Sequence, residues 1–390
     1  MKRHSKHLIP FIIICVMALA AALASQFTSP PAPTPPVKGE DASATTSPFI
    51  TVKYRFGRGY VGDNWQVYFN EPDASVDRSD YVDGIDAPLA SAIDAAERSL
   101  DIAAFELNSK LLYEAILAAQ RRGVTARIVT DDRHGLEDDS NTELRDLRAV
   151  GVPIVADNRS GLMHNKFIIV DERAVWTGSW NYTLNGTYRN NNNVLVLESA
   201  GAAAAYKTEF EEMFERGEFG ARSSNDGIIS IGGNAGEISI IFAPEANEIA
   251  ALRAAIGAAQ SSIRFMSFVF SLDELAGAMI EKMTDPDFVL RGVFEERNSR
   301  ASWSQLPALY CAGAQVRQDG NRYILHHKVI IIDDDTVITG SFNFSNSAAQ
   351  DNDENIVIIR DKVIASLYLE EWRRIWDSAK EVSPGEVNCD

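Results

Sequence analysis

The chain is 390 residues long, 45% hydrophobic and 24% charged, with 37 basic against 55 acidic residues and a formal net charge of −18. Such a length holds two lobes with full cores, and the composition is that of an ordinary globular protein. The acidic excess repels polyanions at long range and argues against avid nucleic-acid binding, though not against a local basic cleft.

At the start, Lys2, Arg3 and Lys6 precede an uncharged run from Leu8 to Ala24 that ends in the small-residue pattern Ala22-Leu23-Ala24. Residues 1–24 therefore read as a secretory signal or an uncleaved signal anchor, with export favoured and cleavage left open. Ile12, Ile13 and Ile14 before Cys15 lack the small residues of a lipoprotein site. Residues 25–48, rich in Pro, Ser, Thr and Ala, read as an extended tether that cannot build a core. The expected location is extracytoplasmic, secreted or tethered by this segment. Without residues 1–24 the net charge is −21, because three basic and no acidic residues leave with them.

From Phe49 onward one unit is written twice. V-Y-F-N-E-P from Val67 and I-I-F-A-P-E from Ile240 are the opening strands. An amphipathic helix then runs into a strand, in A-I-D-A-A-E-R-S-L-D-I-A-A-F ending at Phe105 and in A-I-G-A-A-Q-S-S-I-R-F-M-S-F ending at Phe268. A second helix and strand follow, L-L-Y-E-A-I-L-A-A-Q-R-R before T-A-R-I-V-T and E-L-A-G-A-M-I-E-K-M before V-L-R-G-V-F. L-R-A-V-G-V-P-I-V then matches L-Y-C-A-G-A-Q-V-R.

The strongest repeat comes next. His164, Lys166, Asp171, Gly178, Ser179 and Asn181 recur as His326, Lys328, Asp333, Gly340, Ser341 and Asn343, all displaced by one constant step. Six positions fixed at about one chance in twenty each make a random match on the order of one in sixty million per starting point. Side chains alternate along a strand, so His and Lys two apart point the same way, and the runs F-I-I-V and V-I-I-I continue as a strand buried on both faces. G-S-x-N follows a turn and a short apolar run, as a second strand returning Ser and Asn to the same end. After each copy come a further strand, N-V-L-V-L-E or N-I-V-I-I-R, and a helix. Tyr206, Phe210, Met213 and Phe214 precede Tyr368, Trp372, Ile375 and Trp376 by that same step, one apolar stripe repeated and hence core. The units read as lobe 1 at 49–220, a Gly-rich linker at 221–236, and lobe 2 at 237–381. The expected architecture is α/β: two lobes, each a mixed sheet flanked by helices, related by a pseudo-two-fold axis that brings the two motifs face to face.

On these motifs the chain resembles the phospholipase D superfamily, whose HxK(x4)D(x6)GSxN signature both copies match without a gap. The resemblance covers both lobes, and the short loops resemble the compact branch that holds cardiolipin hydrolases and endonucleases. It implies phosphodiester cleavage through a phosphohistidine, with His164 and His326 as nucleophile and general acid. Lys166, Lys328, Asn181 and Asn343 would hold the phosphate, and Ser179 and Ser341 would support it as substrate-binding residues. Asp171 and Asp333, about 17 Å along the strand, are read as structural. Outside the leader there are four histidines, and three lie in the signatures. His327 falls on the opposite strand face and is read as packing; His134 is read as a solvated loop residue.

In that family a carboxylate follows the signature and buttresses the His. Glu354 takes that place after His326, and the first-half equivalent is Asn192. The expectation is that Glu354 holds His326 protonated as the acid and that Asn192 leaves His164 neutral as the nucleophile, with Glu106 open as a further partner. No Cys/His cluster reads as a zinc site, and no metal or cofactor is expected. Cys311 and Cys389 are candidates for a disulfide, against a free buried Cys311. The substrate expectation is a glycerophospholipid at a membrane surface, met by a monomer. The alternatives are a nuclease of the same mechanism, for which T-V-K-Y-R-F-G-R-G-Y at 51–60 is the best feature, a phosphatidyl transferase, and a catalytically dead binding or scaffold protein.

Overall fold

The structure is a computed structural model that describes residues 47–224, 227–233, 236–383 and 385–389, so the leader and nearly all of the tether lie outside the described residues. The first lobe runs β1 (Ile50–Tyr54), β2 (Gly57–Val61), β3 (Trp65–Asn70), α1 (Asp86–Asp94), β4 (Ser99–Ala104), α2 (Lys110–Arg122), β5 (Thr125–Thr130), α3 (Thr142–Ala149), β6 (Ile154–Ala156), β7 (Lys166–Val170), β8 (Ala174–Gly178), α4 (Leu184–Tyr188), β9 (Asn190–Asn191), β10 (Asn193–Leu197) and α5 (Ala200–Arg216). The second runs β11 (Ile228–Gly233), β12 (Gly236–Ala243), α6 (Glu248–Ala258), β13 (Ser262–Ser267), α7 (Asp273–Lys282), β14 (Val289–Phe294), α8 (Glu296–Ser299), α9 (Leu306–Cys311) and β15 (Gln315–Gln318). It ends with β16 (Ile324–Leu325), β17 (Lys328–Ile332), β18 (Thr336–Gly340), α10 (Asn346–Gln350), β19 (Glu354–Arg360), α11 (Lys362–Ser378) and β20 (Lys380–Glu381). The stretch read as a linker thus contributes a strand, β11, which pairs antiparallel with β12.

Each lobe is built on a nine-stranded mixed sheet, ordered β1-β2-β3-β10-β8-β7-β4-β5-β6 in the first and β11-β12-β19-β18-β17-β13-β14-β15-β20 in the second. Strands β4, β5 and β6 are mutually parallel, as are β13, β14 and β15, while β7 and β17 run antiparallel to β4 and β13. The C-terminal ends of the parallel strands therefore meet the starts of β7 and β17, pairing Ala104 with Lys166 and Ser267 with Lys328.

Alternation along β7 explains its unbroken hydrophobicity. Phe167 and Ile169 face a central core shared by both sheets with α5 and α11, whereas Ile168 and Val170 face the outer helices of lobe 1. Tyr206, Phe210 and Met213 of α5 and Tyr368, Trp372 and Ile375 of α11 are buried in the central core, which sits between the two sheets. Removing a ring such as that of Trp372 there costs about 3–5 kcal/mol.

Two signature residues answer to backbone geometry. Asp171 and Glu172 both have positive φ, 53° and 55°, as do Asp333 and Asp334, making the tight primed turn of a hairpin at each β7–β8 and β17–β18 connection. The Asp171 carboxylate also accepts the backbone N–H groups of Glu97, Arg98 and Ser99, and Asp333 those of Gln260, Ser261 and Ser262. Gly178 and Gly340 adopt φ of 139° and 146°, and a Cβ there would lie 2.3 and 2.2 Å from the carbonyl oxygens of Asn193 and Asn355. Only glycine fits.

Cys311 and Cys389 form a disulfide with a Cα–Cα distance of 5.5 Å, which fastens the C-terminal tail to the end of α9. The stretch at 51–60 folds as the β1–β2 hairpin, and its Arg58 is buried against Glu371, 2.9 Å away, and Glu71. That guanidinium is withdrawn from any polyanion. No described helix is long and apolar enough to cross a membrane.

Candidate active site

His164 and His326 stand two residues before the starts of β7 and β17, each ring packed on the aromatic that follows the neighbouring strand, β4 or β13. Phe105 lies 4.8 Å from His164 and Phe268 4.8 Å from His326, centre to centre. The same rings carry Lys166 and Lys328, whose Nζ atoms lie 4.8 and 4.9 Å from the ring centres. Each ammonium also donates to the carbonyl of its own lobe's histidine, His164 for Lys166 and His326 for Lys328.

The lobes clasp each other by contacts that occur twice. The His164 N–H donates to the Asp353 carbonyl; its counterpart, the His326 N–H, donates to the carbonyl of Asn191, the counterpart of Asp353. Thr177 donates to Asn355 at 2.7 Å while Asn193 donates to Thr339 at 2.8 Å. Tyr206 pairs with Asn355 at 3.1 Å and Tyr368 with Asn193 at 3.0 Å. Residue i of one lobe touches j of the other and the reverse, the signature of a two-fold relation.

That reciprocity corrects the expected buttress. Glu354 does not hold His326; both of its oxygens lie 2.8 Å from Nδ1 of His164. His326 Nδ1 instead faces Asn192 Oδ1 at 2.8 Å and the Ser179 carbonyl at 3.0 Å. The two-fold relation hands each residue after the signature to the opposite lobe, so closeness in sequence misassigns the partner. Because oxygens surround both Nδ1 atoms, both carry the proton there, and Nε2 of each ring is left for chemistry.

The serines stand behind the histidines' partners. Ser179 Oγ donates to Asn192 Oδ1 at 2.9 Å, and Ser341 Oγ donates to Glu354 Oε2 at 2.5 Å. Both are fully buried. Their hydroxyls are hydrogen-bonded to the groups that orient the histidines. Asn181 and Asn343 each have a buried Oδ1 with no partner among the described residues, and Asn181 Nδ2 donates to Glu106 at 3.0 Å. Glu106 therefore reaches Asn181 and not a histidine ring. His327 is fully buried on the opposite face, between Asn193 at 3.2 Å and Glu371 at 3.0 Å, while His134 is exposed with its ring 4.9 Å from Phe105.

Burial pushes His164 and His326 well below the ordinary histidine range, and the two lysines add to it. Burial also lowers Lys166 to about 7 and holds Lys328 well below the usual lysine range. Glu354 is pushed up to about 7 by burial against the pull of Lys166. Desolvation thus favours the neutral form of these four basic groups, and an entering phosphate favours the charged form of each.

The residues that sequence reasoning missed are Phe105 and Phe268, which seat His and Lys, and the Asn193–Asn355 pair behind them. Their signal was the repeat itself, since both asparagines open the matching runs N-V-L-V-L-E and N-I-V-I-I-R.

The family model described as cardiolipin synthase, PLD-like domain, matches residues 89–214 and 252–376. A mitochondrial cardiolipin hydrolase of Xenopus tropicalis is 36% identical over 120 residues, 31% of this chain and 56% of that protein. A phospholipase D of Rickettsia conorii is 36% identical over 118 residues, 30% of this chain and 58% of that protein. The chain therefore spans little more than half the length of these curated relatives. The crystal structure of a phosphatidylserine synthase from Haemophilus influenzae superposes with a TM-score of 0.57 at 14% identity, covering 79% of this chain and 88% of that one, and shows the same fold.

Proposed function

This chain belongs to the family of cardiolipin synthase, PLD-like domains, and from that premise we propose that it is a phospholipase D-type phosphodiesterase that hydrolyses a glycerophospholipid through a phosphohistidine intermediate. The observation that carries this reading is the pair of oriented imidazoles, each with its Nδ1 held and its Nε2 left over, beside Lys166 and Lys328. Nε2 of His164 attacks phosphorus, the bond to the leaving oxygen breaks, and His326 gives that oxygen its Nε2 proton. Water then attacks phosphorus and returns a proton to His326; the phosphorus–nitrogen bond breaks and phosphatidic acid leaves. Lys166, Lys328, Asn181 and Asn343 stabilise the phosphoryl oxygens throughout. Two relatives named for phospholipid hydrolysis, and the acidic charge of the chain, favour lipid over nucleic acid. An exported, monomeric enzyme is the accompanying reading of the leader and of the two complete half-sites.

The test is turnover by the full chain on phospholipid vesicles and on single- and double-stranded DNA at moderate salt. Phosphatidic acid release should be the faster reaction; DNA nicking at least about tenfold faster, and falling with salt, would replace the lipid reading with a nuclease. Activity should also survive excess EDTA, because Lys and His side chains supply the positive charge that a metal supplies elsewhere. Complete loss on chelation at room temperature, restored by one metal, would contradict this mechanism.

A further inference from the structure

Behind the histidines the two lobes part company chemically. The buried Glu371 of α11 is matched on all sides. It lies 3.0 Å from His327 Nε2, accepts from Arg58 at 2.9 Å, and is clamped by Arg374 at 2.7 and 2.9 Å. The equivalent positions in lobe 1 are Glu209 for Glu371, Asn165 for His327 and Glu212 for Arg374. A guanidinium in one lobe is thus a carboxylate in the other.

Glu209 is fully buried. Among the described residues its Oε1 accepts a 3.4 Å bond from Asn165, its side chain meets that of Glu245, and no N–H or hydroxyl donor reaches its Oε2. Carboxylate oxygens of Glu209, Glu212 and Glu245 lie within 4.8 Å of one another. Glu212 is fixed from outside by Arg216 at 2.7 Å and by the Ser224 N–H at 2.9 Å. A desolvated carboxylate with an unmatched oxygen, among two more, calls for positive charge.

We propose that Glu209, Glu212 and Glu245 bind a hard divalent cation of the calcium type. The donors are all carboxylate oxygens, which suit calcium, magnesium or manganese and not zinc. Glu209 and Glu212 belong to α5 of lobe 1, whereas Glu245 follows β12 of lobe 2, so the ion would fasten the lobes together. Its reach extends to the site. Asn165, next to His164, joins Glu209 to Asn355, next to Glu354, through bonds of 3.4 and 2.8 Å. Burial, the neighbouring carboxylates of Glu245 and Asp353 and a hydrogen bond to Glu245 push Glu209 well above the ordinary carboxylate range.

The full chain, without substrate, is melted in EDTA and in millimolar calcium, magnesium or manganese chloride. At least one cation should raise the melting temperature by about 3 °C or more. Glu212→Arg, which copies Arg374 of the other lobe, should lose that shift. Glu245→Gln should weaken the apparent affinity at least about tenfold, and it carries the test alone if the first variant does not fold. Equal melting with and without all three cations, or full shifts in both variants, overturns the proposal. Since the readout is binding to the unliganded protein, it stands or falls separately from the hydrolytic reading.

Discussion

His164→Asn should lose about 10⁴-fold or more in kcat and should take up no acid-labile phosphoryl label after a quench. His326→Asn should lose about 10²–10⁴-fold on a phospholipid with an alkoxide leaving group. On a substrate with a good leaving group it should still accumulate label. The sequence-based reason for this assignment was wrong, because it placed Glu354 against His326. The geometry supplies a better one. Attack through Nε2 leaves a phosphoimidazolium, a cationic ring that still carries its Nδ1 proton, and an anion at Nδ1 stabilises the charge that appears. Among the described residues only His164 has one, in Glu354 at 2.8 Å. The acid must end the same step neutral, and among those residues Nδ1 of His326 faces the neutral oxygens of Asn192 and Ser179. Label on His326 in the His164 variant would reverse the roles and leave the two-histidine scheme in place.

Glu354→Gln should cost about 10²-fold or more in kcat/KM, and should change the shape of the pH profile as well as its height. Glu354 serves as an anion, and burial pushes its carboxyl up to about 7. Wild-type kcat/KM should therefore climb as pH rises through about 7, an apparent value that belongs to the Glu354–His164 pair. Stability moves the other way. A carboxyl whose folded pKa lies above its ordinary 4.5 holds its proton more tightly in the folded state. That share of stability is present at low pH and is lost as pH rises through about 7. Glu354→Gln should flatten both curves. A variant that loses activity uniformly at every pH, with the limb near 7 intact, would show that Glu354 only fills space.

Much of this was legible in the chain, because each signature residue obeys a local rule. Strand alternation placed His164 with Lys166 and turned His327 away; the gap between Lys166 and Asp171 put the carboxylate at the far end, where the structure finds it closing a turn. The constant step between the two copies announced two lobes and a central pair of helices. What could not be read was anything that crosses the lobe boundary. Glu354 was given to His326 because it follows that histidine in the chain, and the two-fold relation overrules that order. Arg58 likewise looked like part of a basic surface until Glu371, from the far end of the chain, took it inside.

The clasp between the lobes bears on how such a site could arise. His164 and His326 each borrow an orienting partner from the opposite lobe, so one lobe alone holds two half-finished sites and no whole one. Two identical subunits could complete them by pairing, but a single gene would then impose the same residue on both sides of the axis. A change that helped the nucleophile would be forced on the acid. Joining the two copies in one polypeptide removes that bond. Glu354 can then face Asn192 across the axis, Glu106 can have Val269 as its opposite number, and Arg374 can stand where its twin is Glu212. Tandem fusion, on this view, is what lets each half drift towards its own task while the fold stays symmetric.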